Sequence, residues 1–221
     1  MCGRYTSEGI SVSTLVERFD AQPTLEALTP NHNIKPTQDA PVVVEHDGTR
    51  ELQLMQWGLV PFWAKDPKIG YKMFNARAET VGEKPAFKSS FRRKRCLVPA
   101  AGFYEWKAEG RGKTPYLFSL IDNEIFGFAG LYDTWRMPNG ETLHTYTIIT
   151  TAPNELVAAI HDRMPVILGR DQEQAWMDAS VEDPYFLQSL LEPYPADLMK
   201  MTKIEGKLEQ LRPAQPVINS Q

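Results

Sequence analysis

Val42-Val43-Val44-Glu45-His46-Asp47-Gly48-Thr49-Arg50-Glu51-Leu52-Gln53-Leu54-Met55-Gln56-Trp57 reads as two strands around a tight turn. The flanks are rich in residues that fit a pleated surface, and Gly48 supplies the positive φ that a short hairpin loop requires. On the second flank, alternation predicts Leu52 and Leu54 on one face and Gln53 on the other. Pro138-Asn139-Gly140 marks a second hairpin, leading into Thr145-Tyr146-Thr147-Ile148-Ile149-Thr150. Further strand-like segments lie at 96–98, 103–106, 116–121 and 125–129. Val12, Leu15, Val16 and Phe19 fall at helical spacing behind Ser11, a fitting N-cap. A short helix is predicted from Pro153-Asn154 to Ile160 with Thr151 as its cap, and two more at 171–177 and 184–191. With strands in the middle and helices towards both ends, the expectation is an α+β domain on a largely antiparallel twisted sheet.

At 221 residues and 42% hydrophobic content, the chain can bury one substantial core, so a single domain over 2–221 is expected. No run approaches the roughly 18 apolar residues of a membrane span. The first residues lack a basic-then-apolar targeting pattern, and a cytoplasmic, soluble protein is predicted. Two cysteines make no disulfide framework. With no CxxC or HExxH pair, neither metal nor cofactor is expected. A net charge of −4 argues against electrostatic coating of nucleic acid. Locally, however, Lys88, Arg92, Arg93, Lys94 and Arg95 form a basic run without an acid, either a solvated loop or a phosphate patch.

The chemistry concentrates at Met1-Cys2-Gly3-Arg4. Removal of Met1 would leave Cys2 with a free α-amine and a free thiol on adjacent carbons. Such a 1,2-aminothiol condenses with an aldehyde to a Schiff base, and the thiol then closes a thiazolidine ring. Unperturbed, the amine titrates near ~7.7–8.0 and the thiol near ~8.5, so both are partly available at neutral pH. Cys96, in Arg95-Cys96-Leu97-Val98-Pro99, reads instead as an inert strand residue.

Four other places carry polar groups in telling contexts. In Phe74-Asn75-Ala76-Arg77-Ala78-Glu79, an extended chain would put Asn75, Arg77 and Glu79 on one face, to orient a substrate or to form a plain Arg77–Glu79 pair. Glu105, within Gly102-Phe103-Tyr104-Glu105-Trp106, sits among aromatics that would raise its pKa towards neutrality, unless it simply faces solvent. His161, in Ile160-His161-Asp162-Arg163-Met164-Pro165, follows a short helix whose C-terminal dipole favours imidazolium and hence a proton donor. Trp63, after Pro61 and before Lys65, is expected on a surface loop where it could stack on unpaired bases.

Met1-Cys2-Gly3-Arg4, Trp57-Gly58-Leu59-Val60-Pro61, Asn75-Ala76-Arg77-Ala78-Glu79, Phe103-Tyr104-Glu105-Trp106-Lys107 and Ile160-His161-Asp162-Arg163-Met164-Pro165 occur in that order. Together they resemble the SOS-response-associated peptidase (SRAP) family of abasic-site processing proteins, over about 2–191. The resemblance implies a barrel-like sheet with flanking helices, and a protein that crosslinks through Cys2 to abasic sites in single-stranded DNA. By position, Asn75, Glu105 and His161 would support Cys2, while Arg4, Arg77, Arg163 and Trp63 would contact DNA. A monomer is expected, associated with the nucleoid when bound to damaged DNA, with weak lyase activity and autocatalytic Met1 removal as side reactions. The rival class is a cysteine peptidase or N-terminal-nucleophile amidohydrolase with Cys2 as nucleophile and His161 as base. A third is a noncatalytic single-strand binder. The chain departs from the family at His32-Asn33-Ile34-Lys35-Pro36 and in a divergent tail from about 195 to 221.

Overall fold

The computed structural model describes residues 2–110, 112–206 and 208. The chain opens with β1 (Tyr5–Thr6), α1 (Val12–Phe19) and β2 (Ala21–Gln22), then forms the hairpin of β3 (Asp39–His46) and β4 (Thr49–Trp57). A 3-10 turn at Pro67–Lys72 precedes β5 (Asn75–Arg77), and another at Ala78–Thr80 follows it. Next come α2 (Lys88–Arg93), β6 (Arg95–Ala100), β7 (Gly102–Glu109), β8 (Gly112–Leu120), β9 (Phe126–Arg136) and β10 (Thr142–Thr151). The last third holds α3 (Glu155–Ala158), β11 (Met164–Pro165), β12 (Ile167–Leu168), α4 (Arg170–Met177), α5 (Pro184–Ser189) and β13 (Met199–Lys203).

Five strands close on themselves. β3 pairs antiparallel with β4 and β6, β6 with β9, and β9 with β10. β10 then runs parallel to β4, Thr145 opposite Gln56 and Tyr146 opposite Trp57, and the barrel is shut. A second sheet, in the order β1-β7-β8-β13, packs beside it. The architecture is therefore the expected α+β single domain on a barrel-like sheet. Among the described residues three pairings are parallel: β10 with β4, β10 with β5, and β2 with β4.

Period-two alternation builds two cores from the same strands. Val42, Val44, Cys96, Val98, Phe128, Tyr146 and Ile148 point into one cluster with Tyr5, Trp57 and Phe103. Their neighbours Val43, Leu97, Ala129 and Ile149 point the other way, under Leu15, Phe19, Phe91, Trp176 and Leu187 of the helices. Burial on both faces is why these strands read as unbroken apolar runs. Leu54 departs from the prediction: it shares a face with buried Leu52 but is 49% exposed, beyond the helical cover. The β3–β4 turn has positive φ at both Asp47 (50°) and Gly48 (76°), the geometry whose twist matches the flanking strands.

Ser11 caps α1 through a capping box with Thr14. The cap of α3 is Asn154, whose Oδ1 accepts from the Val157 N–H at 2.9 Å, rather than Thr151, which β10 retains as its last residue. Met199 to Lys203 of the divergent tail pair with Leu120 to Tyr116 of β8, and Ile204 N–H donates to the Pro115 carbonyl at 3.0 Å. The tail beyond 208 lies outside the described residues. Among those described, no helix is long and apolar enough to cross a membrane.

Candidate active site

Tyr5 sets the position of the amino-terminal segment. It lies opposite Phe103 on β7, and the ladder continues one residue further, where Tyr104 N–H donates to the Arg4 carbonyl at 3.0 Å. Its ring is fully buried edge-on to Trp57 and Phe128, and its hydroxyl meets that of Tyr146 at 2.7 Å. Antiparallel pairing with β7 then carries Gly3 and Cys2 towards Glu105. Cys2 is itself buried, with Sγ donating weakly to the Arg4 carbonyl at 3.7 Å. Burial, with a smaller contribution from the Glu105 carboxylate, pushes its thiol far above the ordinary range.

Asn75 opens β5, which runs parallel to β10 from Ile148 to Thr150. The Trp57 indole donates to the Phe74 carbonyl at 2.7 Å and fixes the approach to that strand. Asn75 Nδ2 donates to the Cys2 carbonyl at 2.8 Å, while its Oδ1 is buried with no partner among the described residues. Glu105 is 4% exposed, and its Oε1 is likewise buried and unpartnered. Burial raises this carboxyl to about 7; the amino-terminal charge opposes that rise and Asp162 adds to it. The buried-acid reading of Glu105 therefore replaces the solvent-facing one.

His161 stands at the opposite tendency from the sequence expectation. Its pKa is lowered, first by burial and then by the amino-terminal charge. α3 is a single turn, so its dipole is too small to offset desolvation. The Arg163 backbone N–H donates to Nδ1 at 3.1 Å, and Asp162 Oδ1 lies 3.0 Å from the same nitrogen. As a neutral imidazole, His161 is better suited to accept a proton than to donate one.

Glu105 and His161 line a cleft of about 420 Å³ together with Arg4, Trp106, Lys113 and Gly3, the last next in sequence to buried Cys2. Larger grooves exist elsewhere, including one of about 700 Å³ beside Trp63, Tyr71, Lys65, Lys68 and Lys72. The smaller cleft is the reactive candidate because Glu105, with its orphaned oxygen and raised carboxyl, lines it beside Gly3, the neighbour of Cys2. Lys113 was not among the site residues expected from sequence. The β7–β8 register, with Trp106 opposite Pro115 and Ala108 opposite Lys113, brings it alongside.

The proposed DNA-contacting residues separate. Arg4 lines the cleft and bonds back to the Gly3 carbonyl at 2.9 Å. Arg77 is exposed at the end of β5, and Trp63 is 50% exposed on its loop. The single face expected for Asn75, Arg77 and Glu79 is broken, because the strand stops at Arg77 and a 3-10 turn redirects Glu79. Glu79 pairs with Arg163, whose Nη2 reaches Oε2 at 3.0 Å, rather than with Arg77.

The basic run divides: Lys88, Arg92 and Arg93 stay exposed on α2, while the last two residues turn to other partners. Arg95 is buried, donating to the carbonyls of Trp176, Phe91 and Val181, while Lys94 binds Asp133 at 2.6 Å and Arg93 lies 3.4 Å from Glu182. Cys96 is buried in β6.

The closed barrel thus buries Cys2 with the Asn75 amide bonded to its carbonyl and the raised Glu105 carboxyl close by. The chain belongs to the SRAP family: the family profile described as SOS response associated peptidase matches residues 1–211. It is 44% identical over 209 residues to the abasic site processing protein YoqW of Bacillus subtilis, covering 93% of each chain. It is 37% identical over 180 residues to the abasic site processing protein HMCES of Xenopus tropicalis, covering 67% of this chain and 54% of that one. A crystal structure of a Bacteroides thetaiotaomicron protein superposes with a TM-score of 0.87 at 31% identity, covering 97% of both chains.

Proposed function

We propose that this protein processes abasic sites by crosslinking to them in single-stranded DNA through Cys2, shielding the lesion from strand cleavage. The observation that carries the reading is the burial of Cys2 beside Glu105, whose carboxyl titrates near 7, with Asn75 bonded to the Cys2 carbonyl. The relatives named as abasic site processing proteins supply the substrate class.

The chemistry needs a proton to be given and then taken. Protonated Glu105 assists opening of the abasic sugar to its aldehyde. The α-amine of Cys2, released by removal of Met1, adds to C1′ as a carbinolamine. Glu105 donates to the departing hydroxyl, water leaves, and an iminium forms. The Cys2 thiol, held protonated by burial, then attacks the imine carbon as the Glu105 carboxylate or neutral His161 takes its proton. Aldehyde and aminothiol become thiazolidine and water. Asn75 contributes by holding the nucleophile in place. Ring closure removes the imine that would otherwise act as the electron sink for β-elimination.

A peptidase using a Cys2 thiolate is less well supported, because burial disfavours the thiolate and Sγ faces a backbone carbonyl. Intact mass spectrometry after incubation with an abasic oligonucleotide tests the choice. The expected product is protein plus oligonucleotide less one water, stable to heat and SDS and absent with undamaged DNA. Peptide turnover without an adduct would instead establish the amidohydrolase, and binding alone a noncatalytic protein.

A further inference from the structure

We propose that Glu79 is a positioning residue: acting through Arg163, its carboxylate holds His161 against the Cys2 cleft, an assignment that rests on the reading of that cleft just given. Asn75 reaches the Cys2 carbonyl and His161 reaches the cleft on separate segments, and β10 is the strand beside which both are placed. β5 lies along it with Arg77 opposite Thr150. β11 lies along it in the other direction, with Pro165 also opposite Thr150 and Met164 opposite Thr151. Asn75 is inside β5. His161 is in neither strand; it sits between the single turn of α3, where its N–H donates to the Val157 carbonyl at 2.9 Å, and the start of β11.

Arg163 spans that gap. Nη1 donates to Glu79 Oε1 at 2.5 Å, Nη2 to Oε2 at 3.0 Å, and Nη2 also to the Thr150 carbonyl at 2.5 Å. Its backbone N–H is the donor to His161 Nδ1 at 3.1 Å. The arginine side chain is only 12% exposed, and its Nε is buried without a partner among the described residues. A cation in that position needs its carboxylate, because an unpaired, largely buried charge is costly. The fork-to-fork geometry also fixes direction as well as charge. Glu79 therefore keeps Arg163 folded over Thr150, and with it the N–H that faces the imidazole. Any phosphate that sought the Arg163 guanidinium would first have to displace Glu79.

Among the described residues the charges beside His161 include Asp162, 3.0 Å from Nδ1, and Arg163 from its own loop, and the amino-terminal charge acts on it as well. Glu105, Arg4 and Lys113 line the same cleft. Burial is the largest cause that lowers its pKa, so a ring released into water should titrate higher. The test uses the full-length protein, with His161 followed by NMR titration in the absence of DNA and assigned with His161→Gln. Glu79→Gln is expected to raise the midpoint towards the ordinary ~6.5, and Glu79→Asp to restore much of the wild-type value. The crosslinking rate with saturating abasic oligonucleotide should fall on the order of tenfold in Glu79→Gln, saturation removing any change in affinity that a freed Arg163 brings.

An unmoved or lower midpoint in folded Glu79→Gln overturns the assignment, as does a raised midpoint with an unchanged rate. If Glu79→Gln does not fold, Arg163→Lys takes its place, since lysine keeps the charge but loses the fork. The same rise is expected there, and an unmoved midpoint overturns the proposal equally. Wild-type protein that forms no adduct with abasic DNA strikes the proposed function, while the titration still reports on the link.

Discussion

The Asn75 side-chain amide donates to the Cys2 carbonyl oxygen at 2.8 Å, tying the first residue of β5 to the amino-terminal segment across 73 positions of sequence. That bond makes a sharper prediction than loss of activity. Asn75→Ala removes the donor and leaves Cys2 held by β1 alone, so the single-turnover crosslinking rate should drop on the order of tenfold. Asn75→Asp turns the donor into an anion facing a carbonyl oxygen, in the site where Glu105 is already kept from ionising. Its rate should be lower still, on the order of 100-fold below wild type. An aspartate variant at least as fast as the alanine variant would show that the amide does not anchor Cys2.

The two cysteines share full burial but not surroundings. Cys96 Sγ packs against Gly130, where even a β-carbon would come within 2.8 Å, so it fills core space and faces no cleft. Cys96→Ala should crosslink normally and lose about 1 kcal/mol of stability. Cys2→Ala should form no adduct. Cys2→Ser should form only a linkage that needs borohydride to survive denaturation, because a hydroxyl does not close the thiazolidine. Normal crosslinking by Cys2→Ala, read on a denaturing gel, would remove Cys2 from the mechanism.

Arg95 and Arg77 should exchange the roles that their sequence context suggests. Arg95 stands at the end of the basic run, yet it donates into carbonyls of Trp176, Phe91 and Val181 and is buried. Arg95→Ala leaves those acceptors unpaired and should cost on the order of 3 kcal/mol, seen as a lower urea midpoint. Arg77 is exposed and not paired with Glu79. Arg77→Ala should leave the urea midpoint unchanged but reduce the salt slope of single-strand binding by about one unit. An unchanged salt slope would take Arg77 off the DNA path.

The strands were legible because apolar alternation and turn chemistry are local, and the Asp47-Gly48 hairpin and the Ser11 cap appear where those residues demand them. Barrel closure was not legible. It depends on β10 meeting β4 in parallel between Thr145 and Gln56, a contact set by the whole chain and by no local pattern. Asn75 bonds to Cys2, and Glu105 and His161 line one cleft beside Gly3; motif resemblance rather than spacing is what brought these residues together beforehand. Partners were harder to read. Glu79 looked like a mate for Arg77 two residues away, whereas the 3-10 turn sends it to Arg163, 84 residues on. The sense of the His161 shift was misjudged because a one-turn helix was credited with a long helix's dipole.

Glu105 couples the proposed chemistry to stability in a way that separates proton from shape. In the fold its carboxyl titrates near 7 because burial disfavours the anion; in the unfolded chain it titrates near ~4.3. Between those values the native state keeps a proton that the unfolded state releases, so this group's contribution falls as pH rises through the window and levels off above it. Glu105→Gln keeps the size and never ionises. The variant should therefore match wild type near pH 4.5 and exceed it at pH 8 by on the order of 2–3 kcal/mol, measured as the difference between their urea midpoints. His161, shifted downward, gives the opposite trend in both proteins and cancels in that difference. The same substitution should slow crosslinking by about 10²–10⁴-fold, since glutamine neither donates nor accepts the proton. A variant that is both slow and more stable at pH 8 identifies Glu105 as a buried acid retained at a cost. Equal stability of the two proteins across pH 4.5–8 would mean that its carboxyl is solvated and titrates normally, and the proton-transfer role would fall with it.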